Sequence, residues 1–183
     1  MSRAVPEAAP SPTPEGAPRP AARTRAVTWE DPLEAASRGR ELSGIEYLRA
    51  LMAGEIPPPP IAVLLDMWPT EVEEGRAVFA ATPAEFHYNP IGLVHGGLAA
   101  TMIDSATGCA VHTTLPAGVG YSTLDLSVTY VRPITRATGR VTCEATVVHR
   151  GRTVATAEAR LVAEATGKLL AHGTATLLVE RSG

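Results

Sequence analysis

The last third of the chain alternates apolar and polar residues with a period of two. In the segment YSTLDLSVTYV the apolar positions are Leu124, Leu126, Val128 and Tyr130. In RVTCEATVV they are Val141, Cys143, Ala145 and Val147, and in RTVATAEARLVA they are Ala155, Ala157, Ala159 and Leu161. A fourth run, LLAHGTATLLVE, follows Thr166-Gly167-Lys168. Such alternation predicts half-buried strands. Pro133, Gly139, Gly151 and Gly167 punctuate the gaps, which are short enough to predict a four-strand antiparallel meander. Upstream, Gly97 to about Thr113 reads as a helix that is apolar on nearly every face, and such a helix is buried. IAVLLDMWP and RAVFAAT read as short extended or mixed segments, so at least one strand precedes the helix. Residues 29–54 read as helical, with a Ser43/Glu46 capping box and Gly54 as a stop. Pro57 to Pro60 read as a polyproline connector. The expected class is α+β, an antiparallel sheet wrapped around one long helix.

Residues 1–26 are a Pro/Ala tract almost without large apolar side chains, which predicts a disordered tail. The expected division is a tail at 1–26, a helical lead-in with its proline connector at 27–60, and the main domain at 61–183. Composition narrows the function. The 183 residues suit one domain, and no apolar run approaches the ~18 residues of a membrane span. A net charge of -3 argues against nucleic-acid binding. Cys109 and Cys143 allow one disulfide at most and form no CxxC. The five histidines show no HxH or HExxH spacing, so no metal and no cofactor are expected. No secretory stretch is visible, and a cytoplasmic protein is expected. Aromatics make up only 4%, and small residues crowd the helix and the strands around it.

Asp104 stands in the middle of the apolar helix. A carboxylate there is costly unless it is paired or functional. It either surfaces, bonds a hydroxyl such as Thr101 or Ser105, or is kept for chemistry. Val94-His95-Gly96-Gly97 leads directly into the helix. A helix N-terminus offers unpaired N–H groups, and two glycines strip side chains from them, which suits an oxyanion hole. Gly96 and Asp104 lie eight positions apart, roughly 12 Å along a helix. One carbonyl cannot meet both within one chain. If both act together, Asp104 comes from a second subunit with an antiparallel helix, and a two-fold dimer carries two sites.

The runs HYNPIGLVHGGLAATMIDSATGCAV, YSTLDLSVTYVRPI, VVHRGRTVATAEARLV and LLAHGTATLLV resemble the PaaI-like acyl-CoA thioesterases of the hotdog fold. The likeness extends from about Ile61 to Val179. The resemblance implies a homodimer, often a dimer of dimers, acting on acyl-CoA or aryl-CoA. By the same resemblance Asp104 is the general base or the nucleophile, and Gly96 supplies the polarising N–H. Asn89 positions water or substrate, His95 orients the loop, and Thr123, with Ser122 as competitor, holds the attacking water. Gly97 and Ser122 are further substrate-binding candidates. Arg132, Arg150 and Arg152 are candidates for the phosphates of coenzyme A, which guanidinium forks suit. Asp125 is an alternative carboxylate, placed on the polar face of its strand. His149 and His172 read as structural or exposed, and Cys109 as core packing inside the helix. Two other functions compete with hydrolysis: a non-catalytic acyl-CoA binding module and a hotdog enoyl-CoA hydratase or dehydratase.

Overall fold

The computed structural model describes residues 21–181, so most of the stretch read as a tail lies outside the described residues. Residues 21–26 are exposed and carry no helix or strand. Arg25 donates to the carbonyls of Leu64 (2.7 Å) and Val63 (2.9 Å), and its guanidinium lies 3.9 Å from the centre of the Phe86 ring.

Residues 29–54, read as helical, form two helices. Helix α1 spans Pro32–Gly39 and α2 spans Gly44–Met52. Asp31 caps α1 by accepting from the Leu33 N–H at 2.8 Å, with Pro32 in the first helical turn. The Ser43/Glu46 box begins α2, and the Ser43 N–H donates to the Glu46 carboxylate at 2.9 Å. A capping box satisfies the orphan donors of a new helix, so it marks a start and not the interior of a longer one. The proline connector is also shorter than expected. Pro60 opens a third helix, α3 (Pro60–Leu65), because proline is well suited to the first helical position. Ile61–Leu65 is therefore helical, and Asp66 ends it in a left-handed conformation (φ 50°).

Strands β1 (Met67–Glu73) and β2 (Arg76–Ala81) precede the long helix α4 (Gly96–His112). Strands β3 (Val119–Tyr130), β4 (Val141–Arg150), β5 (Val154–Ala163) and β6 (Leu169–Arg181) follow. All neighbours are antiparallel, in the order β1-β2-β4-β5-β6-β3, and α4 packs against the sheet. The expected meander holds only for β4-β5-β6. Strand β3 lies at the far edge beside β6, and β2 takes the place next to β4. A short gap does not force a hairpin. Residues 131–140 can span about 33 Å when extended, more than the roughly 14 Å across three strand spacings. The link crosses the end of the sheet next to the loop that enters α4, where Val94 N–H donates to Ile134 O at 3.0 Å.

Small residues make the tight wrap possible. Ala145, Ala155, Ala157 and Ala159 point inward and are buried, Ala145 and Ala159 in the cluster of Met102 and Ile103 of α4 and Ala155 and Ala157 in that of Val111 at its C-terminal end. At Gly173 a Cβ would come within 2.4 Å of the Ser127 carbonyl and 3.0 Å of the Ile103 side chain. Helix α4 is not buried all round, however. Ala100, Thr101, Asp104, Ser105, Cys109 and His112 form a half-buried stripe at helical spacing.

Candidate functional site

Asp104 lies on that stripe. Its carboxylate Oδ1 accepts from the Thr123 hydroxyl at 2.9 Å. Of the nearby hydroxyls named from sequence, Thr101 is engaged elsewhere, donating to the Gly97 carbonyl one turn back at 2.8 Å. Thr123 reaches Asp104 because β3 is bulged between Thr123 and Asp125. Before the bulge, Tyr121 and Thr123 share the helix-facing side with their partners Val179 and Leu177. After it, Leu126 and Val128 return to that side, opposite Ala175 and Gly173. The extra residue, Leu124, is 60% exposed, so the simple period of two from Leu124 to Tyr130 is broken at its first member. Ser122 faces the other way and donates to the Glu180 carboxylate at 2.8 Å. Asp125 pairs with Thr176 and is exposed.

Asp104 and Thr123 border a cavity of about 540 Å³. Its α4 side presents one carboxylate among groups that stay neutral. Desolvation pushes the Cys109 thiol up to about 12, an effect that the neighbouring Tyr121 hydroxyl partly opposes. Burial also lowers His112 and raises Tyr121. The Tyr121 ring lies on Gly108, where a Cβ would approach it to 2.7 Å, and tilts against His112 at 5.4 Å between centroids. Sequence reasoning missed Tyr121 and His112, and missed that α1, α2 and α3 line this cavity. A glycine inside a helix was the available signal, because it often marks a close approach.

The second group of candidates surrounds the other end of α4. Asn89 organises the entering loop: its side-chain oxygen accepts from the N–H groups of Ile91 and Leu93, both at 3.1 Å. His95 is the N-cap, and its Nδ1 accepts from the Gly97 N–H at 2.8 Å. A neutral ring then carries its proton on Nε2, and the Gly97 N–H is committed within the loop. The Gly96 N–H has no acceptor among the described residues. Tyr130, also missed, donates its hydroxyl to the Gly96 carbonyl at 3.1 Å, and a Cβ on Gly96 would lie 3.1 Å from its ring. Arg132 donates to the Leu169 carbonyl at 2.6 Å and lines a cleft of about 330 Å³ with Gly96 and Tyr130.

Arg150 and Arg152 line a different cleft of about 420 Å³, against the 116–119 turn that leads into β3. The twelve residues of β3 separate them from Arg132, so one chain does not bring the three arginines together. Nor does it bring Gly96 to Asp104. Both lie on one continuous helix, roughly 12 Å apart along its axis. Among the described residues no group of three or more His, Cys, Asp or Glu side chains could hold a metal ion, and no helix is long and apolar enough to cross a membrane.

Comparison with known proteins agrees with this architecture. The thioesterase superfamily model matches residues 91–170, from the loop before α4 to the start of β6. A phenylacetic acid degradation-related protein from Ralstonia eutropha JMP134 is 31% identical with a TM-score of 0.65, over 72% of this chain and 98% of its own. A single-substitution variant of the phenylacetic acid degradation protein PaaI from Thermus thermophilus is 30% identical with a TM-score of 0.60, over 68% of this chain and 100% of its own. Mouse acyl-coenzyme A thioesterase 13 is 36% identical over 77 residues, which are 42% of this chain and 54% of that protein. The chain spans about half the length of the curated relatives it matches. With an antiparallel sheet packed on one long helix, the superfamily match and near-complete coverage of both solved structures, the chain belongs to the PaaI-like hotdog thioesterase family.

Proposed function

We propose that the protein hydrolyses acyl-CoA or aryl-CoA thioesters, at sites that each combine Asp104 and Thr123 of one copy with the Gly96 loop of another. The observation that carries the reading is the Asp104–Thr123 pair, a carboxylate and a hydroxyl 2.9 Å apart at the edge of a cavity. A water held between them attacks the thioester carbonyl carbon while its proton passes to Asp104. The carbonyl oxygen becomes an oxyanion and accepts the Gly96 N–H of the second copy. Collapse breaks the C–S bond, and the thiolate leaves with the electron pair. A thiol with a pKa near 8.5 needs little help from an acid, so one carboxylate and an oxyanion hole suffice. The alternative covalent route has Asp104 attack the carbonyl and form a mixed anhydride, which water then opens.

In this reading Asn89 and His95 hold the loop that aims Gly96, and Arg132, Arg150 and Arg152 meet coenzyme A phosphates supplied across two copies. Residues 61–183 form the catalytic unit, and cytoplasmic acyl-CoA is the substrate pool. Two-fold assembly follows from the roughly 12 Å between Gly96 and Asp104. The decisive experiment is thiol release from a panel of CoA thioesters by the wild type and by Asp104→Ala. Loss of turnover in a variant that still folds and self-associates is expected. Full activity in that variant rejects the assignment. Tight binding by the wild type without thiol release favours a binding module, and water addition to an enoyl-CoA favours a hydratase.

A further inference from the structure

The cavity beside Asp104 is walled in part by residues outside the family match at 91–170. Tyr47, Leu48 and Leu51 of α2 line it, as do Ile61 of α3 and Met67 of β1. This wall is fixed by backbone contacts. The Gly44 N–H donates to the Leu115 carbonyl at 3.0 Å, and the Gly118 N–H donates to the Arg40 carbonyl at 3.0 Å. At Gly44 a Cβ would lie 1.8 Å from the His112 carbonyl oxygen, so the start of α2 sits directly on the end of α4. The Tyr47 ring tilts against His112 at 5.5 Å between centroids.

The lining chemistry is that of an apolar chain. Leu48 is buried and Leu51 half-buried, and Met67 and Phe79 complete the apolar lining. The charged lining residues other than Asp104 are Arg40 and Glu180, and both are solvent-exposed. At about 540 Å³ the space lies within the ~300–1,000 Å³ range of pockets that enclose whole ligands, more than an acetyl group requires. On α2 the aliphatic Leu48 and Leu51 stand beside the Tyr47 ring, and the two leucines can adapt to a conformable chain.

We propose that α2 is the acyl-length selector of this enzyme. The tail of a medium-chain, unbranched acyl thioester occupies the cavity, and Leu51 with Leu48 sets the length that fits. The proposal rests on the thioester reading of Asp104. Its test uses the full chain and two variants, Leu51→Trp to shorten the cavity and Leu51→Ala to extend it. kcat/KM is measured for acetyl-, butyryl-, octanoyl-, dodecanoyl- and phenylacetyl-CoA. Affinity for S-octyl-CoA, a thioether that cannot be hydrolysed, is measured by calorimetry.

The wild type is expected to favour octanoyl- over acetyl-CoA. Leu51→Trp lowers that ratio at least tenfold and weakens S-octyl-CoA at least tenfold, a scale that one or two methylenes in an apolar pocket supply. Leu51→Ala moves the optimum toward dodecanoyl-CoA. An unchanged ratio in both variants overturns the selector, as does an equal loss at every chain length. A preference for phenylacetyl-CoA that ignores Leu51 overturns it as well. If the wild type releases no thiol while Leu51→Trp still weakens S-octyl-CoA, hydrolysis fails and the selector stands. Asp104-dependent turnover with no effect of Leu51 keeps hydrolysis and overturns the selector.

Discussion

The two ends of α4 solve opposite problems with the same helix. At the N-terminal end, polar groups are consumed by the fold. The Asn89 oxygen holds two N–H groups, His95 holds Gly97, and Tyr130 holds the Gly96 carbonyl, leaving the Gly96 N–H as the open donor among the described residues. Eight residues later, Asp104 meets one hydroxyl and a cavity whose lining also holds a thiol, a phenol and, two turns further along α4, an imidazole, each disfavoured in its charged form by burial. One end is a pre-aimed donor and the other a lightly held carboxylate. In the proposed assembly, complementary halves of a reaction centre are built far apart on one helix because a second copy supplies the other half.

The strongest way to break this contrast is at Asp104. Asp104→Ala should lower kcat for CoA thioesters by about 10²–10⁴, measured by thiol release, with the urea midpoint nearly unchanged because the side chain is half-exposed. Gly44→Ala tests the cavity wall. Its Cβ would meet a backbone carbonyl that cannot rotate away, so a loss of about 1–3 kcal/mol in urea unfolding is expected. Thr123→Val removes one hydrogen bond to the carboxylate and should lower kcat about tenfold with little change in KM, the worth of about 1.4 kcal/mol. An effect as large as that of Asp104→Ala would mean that Thr123 does more than hold the carboxylate and water.

The smallest effect concerns pH. Burial lowers the pKa of His112, and it is the leading cause lowering that of His87, whose Nε2 lies 2.9 Å from the Leu65 carbonyl. Each ring therefore takes up a proton less readily when folded than when unfolded, where its pKa is about 6.5. Their stabilisation is complete above that value and is lost as pH falls through it toward the folded pKa values. The urea midpoint should fall between pH 7 and pH 5, and His112→Gln should flatten the fall.

Much of this was legible in the chain because it depends on local pattern. Ala155, Ala157, Ala159 and Leu161 point inward as their alternation requires, and Val141, Cys143 and Ala145 do the same. The Ser43 box and the His95-Gly96-Gly97 start of α4 also acted locally. The failures were non-local or off by one residue. Leu124 broke the alternation because a bulge inserts one unpaired residue, and nothing in the identity of Leu124 announces that. The place of β3 beside β6 depends on the route of residues 131–140 over the end of the sheet. Composition records only that those residues are enough to make the crossing.

The sequence by itself determined an α+β domain with a helix that carries a single carboxylate, together with a glycine-rich entry to that helix. Periodicity, helix rise and the unpaired donors of a helix terminus are properties of consecutive residues, so they can be read along the chain. Only the tertiary structure decided that Thr123, and not Ser122, meets Asp104, and that a lead-in ending some forty residues before Asp104 walls the space beside it. Those outcomes depend on a strand bulge and on glycine-sized gaps where α2 meets α4, which arise only when distant segments pack together.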